Sequence, residues 1–326
     1  MFQKSVLFFC ALCFVALGCE REIDVEVPGA GGELVVEGRI ENGQAPLVVL
    51  GRTSGYFDPV DAAAFAATNF LGGATVRVIA EGEAPVELEE WCTGDLPVEA
   101  LEQASALLGL PVEVLAAANL CVYTSFTLVG EPGKRYRLEV ALGEEEATAE
   151  TTVPVPVPLE EVWWAPPGTN DTLGVLYAKF TDPAEPGNAY RWFARRLNRR
   201  PAWDPQAGEV KDADFVSPLG SVVEDVYFNG LSFTFTAFRG VRPNSTAWDD
   251  DPQNGEFGFF KRGDTVAVKG CGIDPGVYEA VASYEAQILG QGSPFSVPSA
   301  MVGNVVGARG LWAGYGAWRD TVACVP

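Results

Sequence analysis

The sequence predicts a mainly β protein made of two β-sandwich-like domains, the first of them immunoglobulin-like. A small αα-hairpin interrupts the first domain, and one helix lies in the second. Three observations support this class. Short apolar runs of strand length recur from residue 33 onward, bounded by Gly, Asn or Pro. Helix-like patterning is confined to residues 95–120 and 274–289. Between the two sets of strands, Thr152-Val-Pro-Val-Pro-Val-Pro158 places proline on alternate residues, which removes backbone donors and holds the chain extended. The expected domains are therefore 33–153 and 159–326, with 154–158 as a stiff linker.

A separate signal precedes the first domain. Lys4 is followed by an apolar run from Ser5 to Gly18, then by Cys19 and the acidic Glu20, Glu22 and Asp24. The run is shorter than the roughly 20 residues that a transmembrane helix needs. Residues 1–18 thus read as a lipoprotein signal peptide and Cys19 as the lipid-bearing first residue of the mature protein. Residues 19–32 form an acidic tether between that anchor and the body.

In the first domain, strands are expected at Glu33–Ile40, Pro46–Arg52, Ala74–Ala80, Pro85–Glu89, Cys121–Val129, Lys134–Leu142 and Ala147–Val153. Gly143-Glu144-Glu145-Glu146 supplies a solvated hairpin tip. The inserted segment carries Leu-Pro-Val-Glu twice, at 96–99 and 110–113, with proline suited to the first turn of each helix. Gly109 can end the first of the two helices. Cys92 and Cys121 stand at the two ends of the insertion, where a disulfide would clamp it shut.

The second domain is expected to contribute strands at Glu161–Ala165, Leu173–Phe180, Ala189–Leu197, Val222–Phe228, Leu231–Phe238 and Thr265–Lys269. Asn229-Gly230 is a two-residue hairpin signal between two of them. Asp274-Pro275 opens a helix to about Leu289, with Asp as N-cap and Pro in the first turn. The Gly- and aromatic-rich stretch from Gly303 to Trp318 reads as the last strands.

Composition narrows the chemistry. The formal charge is −22, and an acidic surface repels nucleic acid, so no nucleic-acid partner is expected. Histidine is absent, which excludes Ser-His-Asp and Cys-His devices and HExxH zinc sites. No cofactor and no metal is called for: Asp249-Asp250-Asp251 with Asn254 fails the spacing of a calcium loop. Of the 7 cysteines, Cys10 and Cys13 leave with the leader and Cys19 takes the lipid. Four remain in an exported chain, and the sequence-local pairing Cys92–Cys121 and Cys271–Cys324 keeps each bond within one expected domain.

Two side-chain groups are candidate ligand or partner contacts. Trp163-Trp164 lies just past the linker, and strand alternation buries one indole while leaving the other available. Arg191, Arg195, Arg196, Arg199 and Arg200 crowd one segment of an otherwise acidic chain. They would meet an anionic ligand or an acidic receptor rim, or else pair internally with the abundant carboxylates.

Several of these segments together resemble a lipoprotein family of the Bacteroidota outer membrane, the domain-of-unknown-function family numbered 4249. The matching residues are Cys19-Glu20, Leu34-Val-Val-Glu-Gly-Arg-Ile40, Gly133-Lys-Arg-Tyr-Arg-Leu-Glu-Val140, the Thr151–Pro158 connector, Phe180-Thr-Asp-Pro with Ala189-Tyr190, and Pro298–Gly316. Leu311-Trp312-Ala313 departs from the Gly-Val-Phe-like core usual there. The resemblance implies a lipid-anchored location on the outer membrane, facing the cell surface, and a TonB-dependent β-barrel receptor as partner. It carries over no catalytic residue. The expected function is a non-enzymatic accessory or ligand-binding partner of such a transporter. The alternatives are a structural or adhesive surface protein with immunoglobulin-like spacers, and a carboxylate-based glycan hydrolase.

Overall fold

The computed structural model describes residues 32–54, 70–102, 112–168, 171–198, 212, 214–241, 250–290 and 301–325. The expected signal peptide, Cys19, most of the expected tether, residues 103–108 of the first expected insertion helix, Gly109, Arg199 and Arg200 lie outside them.

The protein is mainly β, as its patterning predicts. Strands β1 (Leu34–Glu41), β2 (Leu47–Arg52), β3 (Thr75–Ala80), β4 (Val86–Glu87), β5 (Glu89–Cys92), β6 (Cys121–Thr124), β7 (Arg135–Leu142) and β8 (Glu145–Thr152) precede the proline-rich connector. Helix α1 (Val112–Ala118) lies between β5 and β6. After the connector come β9 (Glu161–Ala165), β10 (Leu173–Thr181), β11 (Ala189–Asn198), β12 (Val222–Glu224), β13 (Ser232–Ala237), β14 (Phe260–Lys261) and β15 (Thr265–Ile273). Helix α2 (Pro275–Gly290), β16 (Val305–Val306) and β17 (Arg309–Ala323) complete the order.

An eight-stranded sheet, in the order β12-β11-β15-β17-β1-β2-β6-β5, forms the spine. At one end, a five-stranded sheet (β16-β8-β7-β3-β4) covers it. Alternation on β3 and β7 turns Val76, Val78, Tyr136, Leu138 and Val140 inward against Leu34, Val36, Val48 and Leu50. Each such side chain contributes about 1.5–3 kcal/mol by leaving water. At the other end, β10 with β9, β13 and β14 packs over β11 and β15 through Trp164, Leu176, Phe180, Trp192 and Val268. Helix α2 covers the opposite face there, setting Val277 and Val281 against Cys271, Ile273 and Tyr315. Asp274 caps the helix as expected, its Oδ1 accepting the Val277 N–H at 2.9 Å.

The last strand changes the meaning of the expected domains. Arg309–Tyr315 of β17 pairs in parallel with β1, and Gly316–Ala323 pairs antiparallel with β15. The connector 154–158 is extended and outside any strand, as proline dictates, yet one sheet runs on beneath it. Gly314 and Gly316 permit that crossing, because a Cβ on either would collide with the carbonyl oxygen of Thr152 or Pro154.

Two local expectations fail. Asn229-Gly230 does turn the chain, with Gly230 at φ 71°, but joins no hairpin. β12 pairs with β11 and β13 with β10, in different sheets. Carboxylates direct the split: Asp225 Oδ2 accepts the N–H groups of Gly187 and Asn188 at 2.9 and 2.8 Å, and Asp182 Oδ2 accepts that of Gly230 at 2.9 Å. The second failure is the Cys271–Cys324 bond, since both cysteines are free and buried. Cys271 stands opposite Ala317, whereas Cys324 follows Ala323, which stands opposite Thr265. At strand rise the two are separated by about 20 Å, far beyond disulfide reach.

The insertion is closed at its neck as predicted. Cys92 and Cys121 are directly opposed on β5 and β6 and form a disulfide, with Cα atoms 4.0 Å apart. Leu101, Leu115 and Leu120 make a small separate core inside it. Thr93 stitches this core to the neck, its Oγ1 donating to Leu115 O at 2.6 Å and accepting from Leu120 N at 2.8 Å. Among the described residues no helix is long and apolar enough to cross a membrane.

Candidate ligand cleft

A cleft of about 1100 Å³ lies in the half of the molecule built by β9–β17. Its walls are aromatic for a simple reason. β13 reads Ser-Phe-Thr-Phe-Thr-Ala, so alternation sends Phe233 and Phe235 to the same face. Phe233 stands opposite Phe180 of β10, and their rings meet edge to face at 5.7 Å. Phe180 also meets Tyr190 at 4.8 Å, Phe228 meets Phe233 at 4.9 Å, and Trp192 meets Phe235 at 6.1 Å. The lining is typical of small-molecule sites, and the volume is slightly above the roughly 300–1,000 Å³ usual for them.

Few polar groups interrupt these walls, and most are already engaged. Arg239 and Asp250 form an ion pair at 2.6 Å, both side chains less than a tenth exposed. The Tyr190 hydroxyl donates to Asp182 Oδ1 at 2.5 Å, and burial pushes its pKa well above the usual phenol value. Glu285 of α2 accepts from Gly220 N at 2.9 Å and from the Ser221 hydroxyl at 2.8 Å. Two groups remain less satisfied. Trp192 is only 6% exposed, yet its Nε1–H has no hydrogen-bond partner among the described residues. Arg191 is half-buried and donates to three hydroxyls: Ser221 from Nε at 3.4 Å, Tyr315 from Nη1 at 3.2 Å and Ser217 from Nη2 at 3.0 Å.

The sequence-predicted contacts separate on the structure. Trp164 is the buried indole of its pair, 3% exposed, with Nε1 donating to Phe260 O at 3.4 Å. Trp163 is the half-exposed one, stacked on Tyr177 at 5.6 Å on the outer face of β9 and β10. Arg196 is buried and pairs with Asp212 through Nε and Nη2, both at 2.9 Å. Arg195 donates to Asp212 O at 2.9 Å. Among the described residues the arginines therefore do not form one anion site, and of Arg191, Arg195 and Arg196 it is Arg191 that lines the cleft.

Other clusters of acids and thiols are committed within the fold. Glu90, Cys92 and Cys121 bring three donor atoms together, but the disulfide consumes both thiols, and Glu90 accepts from the Tyr123 hydroxyl at 2.9 Å. In the acidic loop, Asp250 is held by Arg239 and Asp251 caps Gln253 N at 2.9 Å. Cys271 reaches the cleft, but burial pushes its thiol up to about 12, which keeps it protonated and unreactive. Asp264, remote from the cleft lining, is pushed by burial up to about 7. The aromatic lining was missed in the sequence, although the Phe-Thr-Phe-Thr alternation of β13 carries its signal.

Comparison with curated proteins returns no match for this chain. The sequence profile described as Domain of unknown function (DUF4249) matches residues 20–317, covering both halves of the shared sheet, and the chain belongs to that family.

Proposed function

We propose that this protein is a non-enzymatic lipoprotein of the bacterial outer membrane, held at the cell surface through Cys19. It serves there as the ligand-binding accessory of a TonB-dependent β-barrel receptor. One observation carries the ligand-binding part: the aromatic cleft of about 1100 Å³. A spacer or adhesive domain has no need of such an interior surface. A glycan hydrolase works through a pair of carboxylates, whereas the cleft's Asp250 is committed to Arg239. The leader with Cys19 supports the anchor, and the earlier resemblance supports the partner.

Affinity purification of a C-terminally tagged protein from native membranes tests this reading. A large β-barrel should co-purify, and a Cys19→Ala variant should leave the membrane fraction and lose the barrel. Repeated recovery of the wild-type protein alone, or an unchanged membrane fraction for Cys19→Ala, would overturn it.

A further inference from the structure

Resting on the reading of this cleft as a ligand site, we infer that it takes an amphipathic carboxylate with a flexible apolar body, whose head is bound by Arg191. Three features converge on that class.

The first is the state of Arg191. A guanidinium has five N–H donors. Among the described residues, its hydrogen-bond partners are the hydroxyls of Ser217, Ser221 and Tyr315, which use one donor each on Nε, Nη1 and Nη2. One N–H is left on each Nη, the pair that forks onto a carboxylate. Glu285 reaches the guanidinium only through the Ser221 hydroxyl. Ser221 gives its single proton to Glu285 and so faces Arg191 as an acceptor. Phe193, with its ring centroid 4.8 Å from Arg191 Cζ, holds the guanidinium plane from one side.

The second is the poverty of the walls in free polar groups. A sugar entering here would leave hydroxyls unpaired, whereas hydrocarbon loses nothing.

The third is shape. Strand alternation sends Arg191 and Trp192 to opposite faces of β11. A cleft lined by both reaches around the β12 edge of the eight-stranded sheet. A chain with rotatable bonds can follow that bend, while a rigid planar polycycle cannot.

The test uses the full chain carrying Cys19→Ala, so that no anchor lipid competes, and two probes of equal length, decanoate and decan-1-ol. Calorimetric titration at pH 8 should show decanoate bound roughly 10- to 100-fold more tightly than decanol. With a net charge of −22, the protein's overall field works against the anion, so such a preference isolates a local cation. Arg191→Met should abolish the preference, so that decanoate and decanol bind alike. Ser217→Asp, which keeps the arginine but supplies an internal carboxylate at Nη2, should do the same if Arg191→Met does not fold. Equal binding of the two probes by the parent chain would overturn the carboxylate assignment and leave the cleft as an apolar site. A preference that survives in a folded Arg191→Met or Ser217→Asp variant would overturn the role of Arg191. Binding of neither probe would overturn the cleft as a ligand site, independently of whether the receptor co-purifies.

Discussion

Replacing Cys92 and Cys121 together by alanine releases the neck of the insertion. The bond spans 29 residues. In the chain-entropy treatment, a cross-link of that span removes about 12 cal/mol/K from the unfolded chain, or about 3.6 kcal/mol at 25 °C. Little should offset this in the folded state. The two cysteines are already directly opposed in the β5–β6 ladder, and Thr93 holds the insertion to the neck through Leu115 and Leu120. Urea unfolding of the Cys19→Ala chain, with and without the two further substitutions, measures the loss by linear extrapolation. Reductant added to the parent should reproduce it. A loss below about 1 kcal/mol would refute the reasoning, because the insertion would then be ordered by its own small core rather than by the cross-link. The same samples test the other cysteines. Thiol titration of the unfolded, unreduced chain expressed from residue 19 should find Cys271 and Cys324 free. Finding neither would mean that the β15–β17 register is wrong.

Gly316→Ala should destabilise by about 1–3 kcal/mol in the same assay, because the added methyl meets the Pro154 carbonyl. Gly168→Ala, where a methyl meets nothing within 4 Å, should change stability by less than about 0.5 kcal/mol; equal effects would refute the crossing. Asp264 is the pH-dependent case. Burial raises its folded pKa from 3.8 to about 7, so the folded state holds a proton that the unfolded state has lost. That contribution is complete below about pH 4 and disappears as pH rises through about 7, amounting to roughly 4 kcal/mol at most. Asp264→Asn should therefore gain stability relative to the parent as pH rises from 4 to 8, and a constant difference would refute the assignment.

How far the sequence spoke depended on whether a signal was local. β1, β3, β7 and β9 were legible because alternation over five to eight residues needs no knowledge of partners. β5 was not, since Glu89-Glu-Trp-Cys has no apolar alternation and owes its existence to pairing with β6. Asn229-Gly230 illustrates the limit most clearly. Its turn chemistry was right, but Asp182 and Asp225, far away in sequence or set by the fold, chose the strands' partners. The arginine run behaves alike. Alternation separates Arg191 and Arg195 from Arg196, yet nothing local reveals that Asp212 occupies Arg196 while hydroxyls face Arg191. Lone cysteines carry no register at all, which is why proximity in the expected domain misassigned Cys271 and Cys324.

The shared strand makes the cleft a property of the whole chain. Tyr315, one of the hydroxyls holding Arg191, lies on β17 opposite Glu41 of β1. Glu41 in turn pairs with Lys269 of β15 at 3.1 Å and with Arg319 of β17, spanning three neighbouring strands. Burial pulls the Lys269 pKa below its ordinary value, and the ammonium also lies 4.5 Å from the Phe193 ring centroid. Among the described residues the ring thus has Lys269 and Arg191 as cationic neighbours. A fragment beginning at residue 159 would lack β1, leaving Arg309–Tyr315 as an unpaired edge and Lys269 buried without Glu41. Strand β1 therefore helps to set the geometry of Arg191, and a single eight-stranded sheet joins the strands on either side of the proline-rich connector.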